Sequence, residues 1–324
     1  MLIGQTSSAP SIVSLPDLPA IAIAYRDVNS NHIQVSVTPT INLGALGQLF
    51  TSNQTTDCNP SLAYMDSPPY PRRLFIAWKG DGNTGINVGE LQLNGSLTGN
   101  TFFVSQMLNF IVLPKEETIT SPTITAYGDQ IMLAFIGLQG NINIMLSNHL
   151  NVNTGTYLTD PLIGFSNKFV FNDRTRLPVG LAVTKSRGAY VAWSDGGDAL
   201  NMAQYDPTNP SAKAKVISVQ RTWCAPALTY VGSTDRLLVA WTGIWTTGAN
   251  GSGNLNIWRE NGWSPNPLPA GVGFHLFLSD NSQTSPSICV YQDIQGIDQI
   301  ALAWKGSNNP GLNLESVFWT WPPL

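Results

Sequence analysis

The chain has 324 residues, a net charge of −4, and 43% hydrophobic against only 11% charged residues. Apolar content at that level supports a sizeable core and excludes wholesale disorder. With no Lys/Arg run there is no electrostatic footprint for nucleic acid, and no uninterrupted apolar stretch reaches the roughly 18 residues of a membrane span. Residues Met1 to Ser8 lack the basic region and long apolar run of a Sec-type leader. A cytoplasmic location, or export by a non-classical route, is therefore expected.

In chain order the sequence falls into six units. Each opens with a proline and a short apolar strand. A second apolar strand ends in Ala-aromatic, and after a Gly/Asn/Asp-rich turn comes an apolar–amide–apolar triplet. Unit one has Pro10, Ala24-Tyr25 and Ile33-Gln34-Val35; unit two has Pro60, Ala77-Trp78 and Ile86-Asn87-Val88. Units three and four have Pro122, Ala134-Phe135 and Ile142-Asn143-Ile144, then Pro178, Ala192-Trp193 and Leu200-Asn201-Met202. Units five and six have Pro226, Ala240-Trp241 and Leu255-Asn256-Ile257, then Pro286, Ala303-Trp304 and Leu312-Asn313-Leu314.

Runs such as Arg236-Leu237-Leu238-Val239-Ala240-Trp241 are apolar on both faces, as for a strand covered on both sides. With an outer strand such as Phe274 to Leu278, each unit makes a four-stranded antiparallel sheet that cannot bury both its faces alone. Six of them arranged radially can. The expected fold is all-β: one six-bladed β-propeller over residues 1–324, its first residues completing the last blade as the outer strand. Cys58, Cys224 and Cys289 contain no Cys-x-x-Cys, so neither a zinc ribbon nor a redox pair is indicated. Cys58 and Cys224 fall in opposite blades and are not expected to pair.

Repeats of apolar-Ala-Trp-x-Gly, a turn and Leu-Asn-apolar resemble those of bacterial and fungal β-propeller lectins and the wider sialidase-like propellers. The resemblance runs through the whole chain and implies carbohydrate recognition at repeated pockets between or on top of the blades. Full Trp-x-Gly stands only at Trp78-Lys79-Gly80, Trp241-Thr242-Gly243 and Trp304-Lys305-Gly306, so fewer than six sites are expected. Trp78, Trp241 and Trp304 would stack on sugar rings, or else fill the wedge between blades. Asn87, Asn256 and Asn313, with Lys79 and Lys305, would hydrogen-bond hydroxyls. The amides suit a structural bond to the preceding turn equally well. The long loop Ile244 to Gly253, carrying Trp245, is a second recognition candidate or a tolerated insertion.

No cofactor is expected. Calcium is the alternative, on two weak signals: Asp27-Val28-Asn29-Ser30-Asn31 lacks the following Gly and has Thr38 where a bidentate Glu belongs, and Asp195-Gly196-Gly197-Asp198 serves equally well as a turn. The sialidase Ser-x-Asp-x-Gly-x-Thr-Trp box is absent, Glu116 and Glu117 are adjacent and would point apart, and the three histidines share no repeat position. The leading expectation is a non-catalytic, multivalent lectin with glycan partners. The alternatives are a glycoside hydrolase, and an interaction or toxin-associated scaffold that meets a protein through one rim.

Overall fold

A computed structural model describes residues 2–43, 45–65, 72–96, 101–149, 164–185, 188–207, 213–244, 253–259, 274–307 and 310–317. Apart from one 3-10 turn at Thr40–Asn42, the described regular structure is strand. Strand β1 is Leu2–Gln5; blade one follows as β2 (Ser11–Leu15), β3 (Ala20–Arg26), β4 (His32–Pro39) and β5 (Leu49–Thr55). Blade two is β6 (Ser61–Met65), β7 (Arg73–Lys79), β8 (Gly85–Ser96) and β9 (Thr101–Glu117). Blade three is β10 (Thr123–Tyr127), β11 (Gln130–Ile136), β12 (Asn141–Ser147) and β13 (Phe165–Arg174). Blade four is β14 (Gly180–Thr184), β15 (Gly188–Ser194), β16 (Ala199–Tyr205) and β17 (Lys213–Arg221). Blade five is β18 (Ala227–Val231), β19 (Arg236–Thr242), β20 (Gly253–Arg259) and β21 (Phe274–Ser282). Blade six is β22 (Ser287–Gln292), β23 (Asp298–Lys305) and β24 (Gly311–Val317), with β1 as its outer strand. The six four-stranded antiparallel sheets form a six-bladed β-propeller. β1 pairs antiparallel with β24, Leu2 opposite Asn313 and Gln5 opposite Gly311, which closes the ring without a covalent bond.

Successive side chains of a strand point to opposite faces of its sheet. In β3, Ala20, Ala22 and Ala24 pack into the seam with blade two, while Ile21, Ile23 and Tyr25 pack into the seam with blade six. The same division holds all the way round, so six apolar clusters occupy six seams, each drawn from two neighbouring blades. It also explains the Ala-aromatic dipeptide. Seam by seam, the aromatic of one blade shares a cluster with the alanine of the blade before it, as Trp78 does with Ala24 and Trp304 with Ala240. Large meets small, and the wedge is filled without strain.

Between blades, a hydroxyl shapes every link from an outer strand to the next inner strand. Thr6, Thr56, Thr118, Thr175, Thr222 and Ser282 each accept the N–H two residues ahead at 3.1 to 3.2 Å. Each donates back to that same residue's carbonyl at 2.8 to 3.5 Å. The six are buried, so no water could replace these bonds. In five links a proline stands four residues after the hydroxyl. In the link to blade four that position is Val179, with Pro178 one residue early. Gly180 then begins the inner strand opposite Ala192, as Ser11 does opposite Ala24. A Cβ on Gly180 would come within 2.7 Å of Pro226 O, so blade five's inner strand can approach only a glycine there.

Thr118→Val keeps the volume of the side chain but leaves the Thr120 N–H and C=O without partners. A loss of about 2 kcal/mol in urea unfolding is expected, the cost of orphaning buried polar groups.

Candidate functional site

The turns joining each second strand to its third, and the links between blades, lie on one face of the ring, called here the upper face. The aromatic that ends each second strand stands directly opposite the amide of the triplet: Trp78 opposite Asn87, Trp241 opposite Asn256, Trp304 opposite Asn313. The indoles are 1%, 1% and 3% exposed, respectively, and sit inside the blade seams. The ring faces that a sugar would need are covered by protein, and filling the wedge accounts for all three.

The amides are turned inward as well. Asn256 Nδ2 donates to Asn254 O at 2.7 Å, Asn313 Nδ2 to Gly311 O at 3.2 Å, and Asn87 Nδ2 to Gly85 O and Trp78 O at 3.4 Å. Asn143 and Asn201 make the same bond to the carbonyl two residues back, each at 2.8 Å. Where the amide stands in blades two to five, the pairing of third and outer strands slips register. The side-chain donor satisfies backbone that this bulge loosens.

The residue after the aromatic reaches the links, and its chemistry differs from blade to blade. Lys79 is buried, and its Nζ donates to both carboxylate oxygens of Asp57 at 2.7 and 2.6 Å. Burial pushes the Asp57 carboxyl up, but the hydrogen bond and charge of Lys79 outweigh it and hold the group below its ordinary value. Arg26 donates from Nε to Ser7 Oγ and from Nη1 to Asp57 O, both at 2.6 Å. Ser194 and Thr242 donate to link carbonyls, Thr222 O at 2.7 Å and Thr284 O at 2.8 Å. Lys305, half-buried, lines an open cleft of about 640 Å³ between blades six and one, with Gln283, Ser7, Ser307, Val28 and Pro310.

The residue after each link hydroxyl also faces the rim. These are Ser7, Asp57, Ile119, Arg176, Trp223 and Gln283. Trp223 is 37% exposed, so part of it meets solvent. Its neighbour Cys224 donates Sγ–H to Gln283 O at 3.5 Å, so Trp223 and the Lys305 cleft sit on consecutive links. Trp223 is absent from the sequence-based candidates. Its signal was the recurring Thr/Ser four residues before proline, with tryptophan in the following position. Trp245 lies outside the described residues.

At the axis, the mouth on the upper face opens into a chamber of about 120 Å³ ringed by Pro10, Pro60, Pro122, Pro178, Pro226 and Pro286, with small hydroxyl and aliphatic neighbours. Among the described residues no ionisable side chain lines it. Ile12, Leu62, Ile124, Leu181, Leu228 and Ile288 form a collar below, which also borders a funnel of about 720 Å³ on the opposite face. Tyr64, Tyr230, Tyr291, Lys185 and Asp298 line that funnel.

The Asp27 carboxylate accepts Ser30 N–H, Asn29 N–H and Ser30 Oγ at 2.9, 3.1 and 2.6 Å, closing its own turn. Asp195 does the same for Gly197 and Ala199 at 2.8 and 3.0 Å. Cys58, Cys224 and Cys289 are free thiols. Burial pushes the Cys58 and Cys224 thiols up to about 11 and about 12, which makes them poor nucleophiles.

No protein-family model matches the sequence, and no curated protein sequence matches it. Solved structures do resemble the fold. AofleA from Arthrobotrys oligospora superposes with a TM-score of 0.64 at 8% identity, over 98% of this chain and 84% of that one. The fungal lectin of Aleuria aurantia, described as a six-bladed propeller with a novel mode of fucose recognition, gives 0.57 at 10% identity, over 97% and 93%. A Penicillium chrysogenum α-L-arabinanase complexed with arabinobiose gives 0.54 at 9% identity, over 98% and 97%. At such identities the likeness establishes the propeller alone.

Trp78→Ala and Trp304→Ala are expected to lower unfolding free energy by about 3–5 kcal/mol each, as for truncating a buried core tryptophan. Asp57→Asn should remove part of the acid sensitivity. The pair's contribution is present above the carboxyl's ordinary value of 3.8 and is lost as pH falls through the lower folded-state value. Urea midpoints measured between pH 7 and pH 3 for both proteins check this.

Proposed function

We propose that this protein is a non-catalytic carbohydrate-binding propeller whose sugar contacts lie on the rim of the upper face, at Trp223 and in the Lys305 cleft. The observation that carries this reading is the contrast between rim and axis. The rim offers the part-exposed Trp223 on one link and, one link further on, a cleft of hydroxyl, amide and ammonium groups, the apolar and polar chemistries by which sugars are held. The axial mouth on the same face is lined by proline, small hydroxyl and aliphatic side chains. The likeness of fold to the Aleuria aurantia lectin agrees with this reading.

The likeness to the arabinanase keeps hydrolysis as a second reading. Glycoside hydrolysis needs two carboxyl groups flanking one bond, roughly 5–10 Å apart. Among the described lining residues the upper chamber supplies none. The lower funnel supplies Asp298 alone, already hydrogen-bonded by Ser233 Oγ. If several rim clefts bind weakly, a rigid ring would gain avidity on a multivalent glycan surface.

A glycan array, followed by titration of the best ligand, tests the proposal. Trp223→Ala should weaken binding about tenfold, the worth of one aromatic stack, without changing the melting temperature. An array blank for every glycan would end the lectin reading. Release of a fluorogenic aglycone from any glycoside would replace it with the hydrolase.

A further inference from the structure

The two Lys-Gly turns have different electrostatic surroundings. In blade two the cation is neutralised, with both oxygens of Asp57 against Lys79 Nζ. In blade six the residue at the position of Asp57 is Gln283, a neutral amide, and among the described residues no carboxylate or carbonyl meets Lys305 Nζ. Lys305 instead lines the cleft of about 640 Å³.

We infer that this cleft binds the carboxylate or sulfate group of an acidic glycan, with Lys305 as the anchoring cation. The inference rests on the carbohydrate-binding reading and narrows it to a ligand class. Among the described residues no Asp or Glu lines the cleft. A second cation stands behind its wall, because Arg26 Nε donates to Ser7 Oγ at 2.6 Å. The nearby Asp27 carboxylate is turned back onto Ser30 and the Asn29 N–H. A locally positive cleft on a chain of net charge −4 selects by sign against its own surface.

Charge-assisted bonds from an ammonium are about twice as strong as neutral ones, and partial burial protects them from salt screening. Ser307 and the Gln283 amide are placed to take sugar hydroxyls. Val28 and Pro310 give the C–H face of a ring an apolar floor. The volume falls in the range of about 300–1,000 Å³ usual for small-ligand sites.

Calorimetric titration with matched pairs tests the inference: trigalacturonate against its methyl ester for the carboxylate, and a sulfated heparin tetrasaccharide against its desulfated form for the sulfate. At least one acidic member should bind about tenfold tighter than its neutral counterpart, the worth of one charged hydrogen bond. Two variants should each close that gap with the fold intact. Lys305→Gln removes the cation, and Gln283→Asp rebuilds the blade-two ion pair around it. Equal affinity within both pairs, or a gap surviving both variants, overturns the acidic-ligand inference while the lectin reading stands. Failure of every charged and neutral glycan to bind overturns both.

Discussion

Everything in this molecule depends on the fact that no blade can bury its own faces. A four-stranded sheet of alternating apolar side chains has two faces to hide, and each finds cover only against a neighbouring blade. The six hydrophobic clusters are therefore seams rather than blade interiors, and the ring must close for the last two faces to be covered. β1 supplies that closure by pairing with β24, so the two ends of the described chain hold each other in place. Cooperativity follows, because opening one seam exposes the apolar faces of two blades at once.

The same constraint explains what could be read in the sequence. Seam packing demands a large ring facing a small side chain, and that demand is written as Ala-aromatic at every second strand. Six copies of so specific a pair revealed the architecture. Reading the candidate site was harder where one residue type serves two ends. Trp78 and Trp304 have the composition of a sugar platform and the position of a wedge, and only burial separates the two. Asn87, Asn256 and Asn313 are likewise donors in either role, directed here to backbone carbonyls beside a bulge. Neither distinction exists at the level of residue identity.

Other features were missed for a different reason. The link hydroxyls act through backbone N–H and C=O groups two residues on, so their signature is a lone Thr or Ser in segments rich in both. Trp223 was hidden by the same camouflage: its place is marked only by the Thr or Ser before it, and the position is held elsewhere by Ser, Asp, Ile, Arg and Gln. Pro178 shows the opposite hazard. It matches the proline pattern yet stands one residue early, with Val179 in the equivalent place and Gly180 making the close approach.

Where the ring tolerates variation follows from its geometry. Inner strands converge on the axis, and the second side chain of each inner strand must fit with five equivalents in a closed collar. Ile12, Leu62, Ile124, Leu181, Leu228 and Ile288 are all aliphatic, and a charge inserted among them would be buried without a partner. On the rim no such circle has to close. The residue after the aromatic is Arg, Lys, Ile, Ser, Thr or Lys in successive blades: Arg26 and Lys79 both reach Asp57, while Ser194 and Thr242 bond link carbonyls of Thr222 and Thr284. Equivalent rim positions on the six blades thus carry different chemistry, so that one neutralised lysine, Lys79, and one lysine lining an open cleft, Lys305, coexist. The ring fixes where these positions stand, while nothing in its closure dictates which side chain occupies each of them.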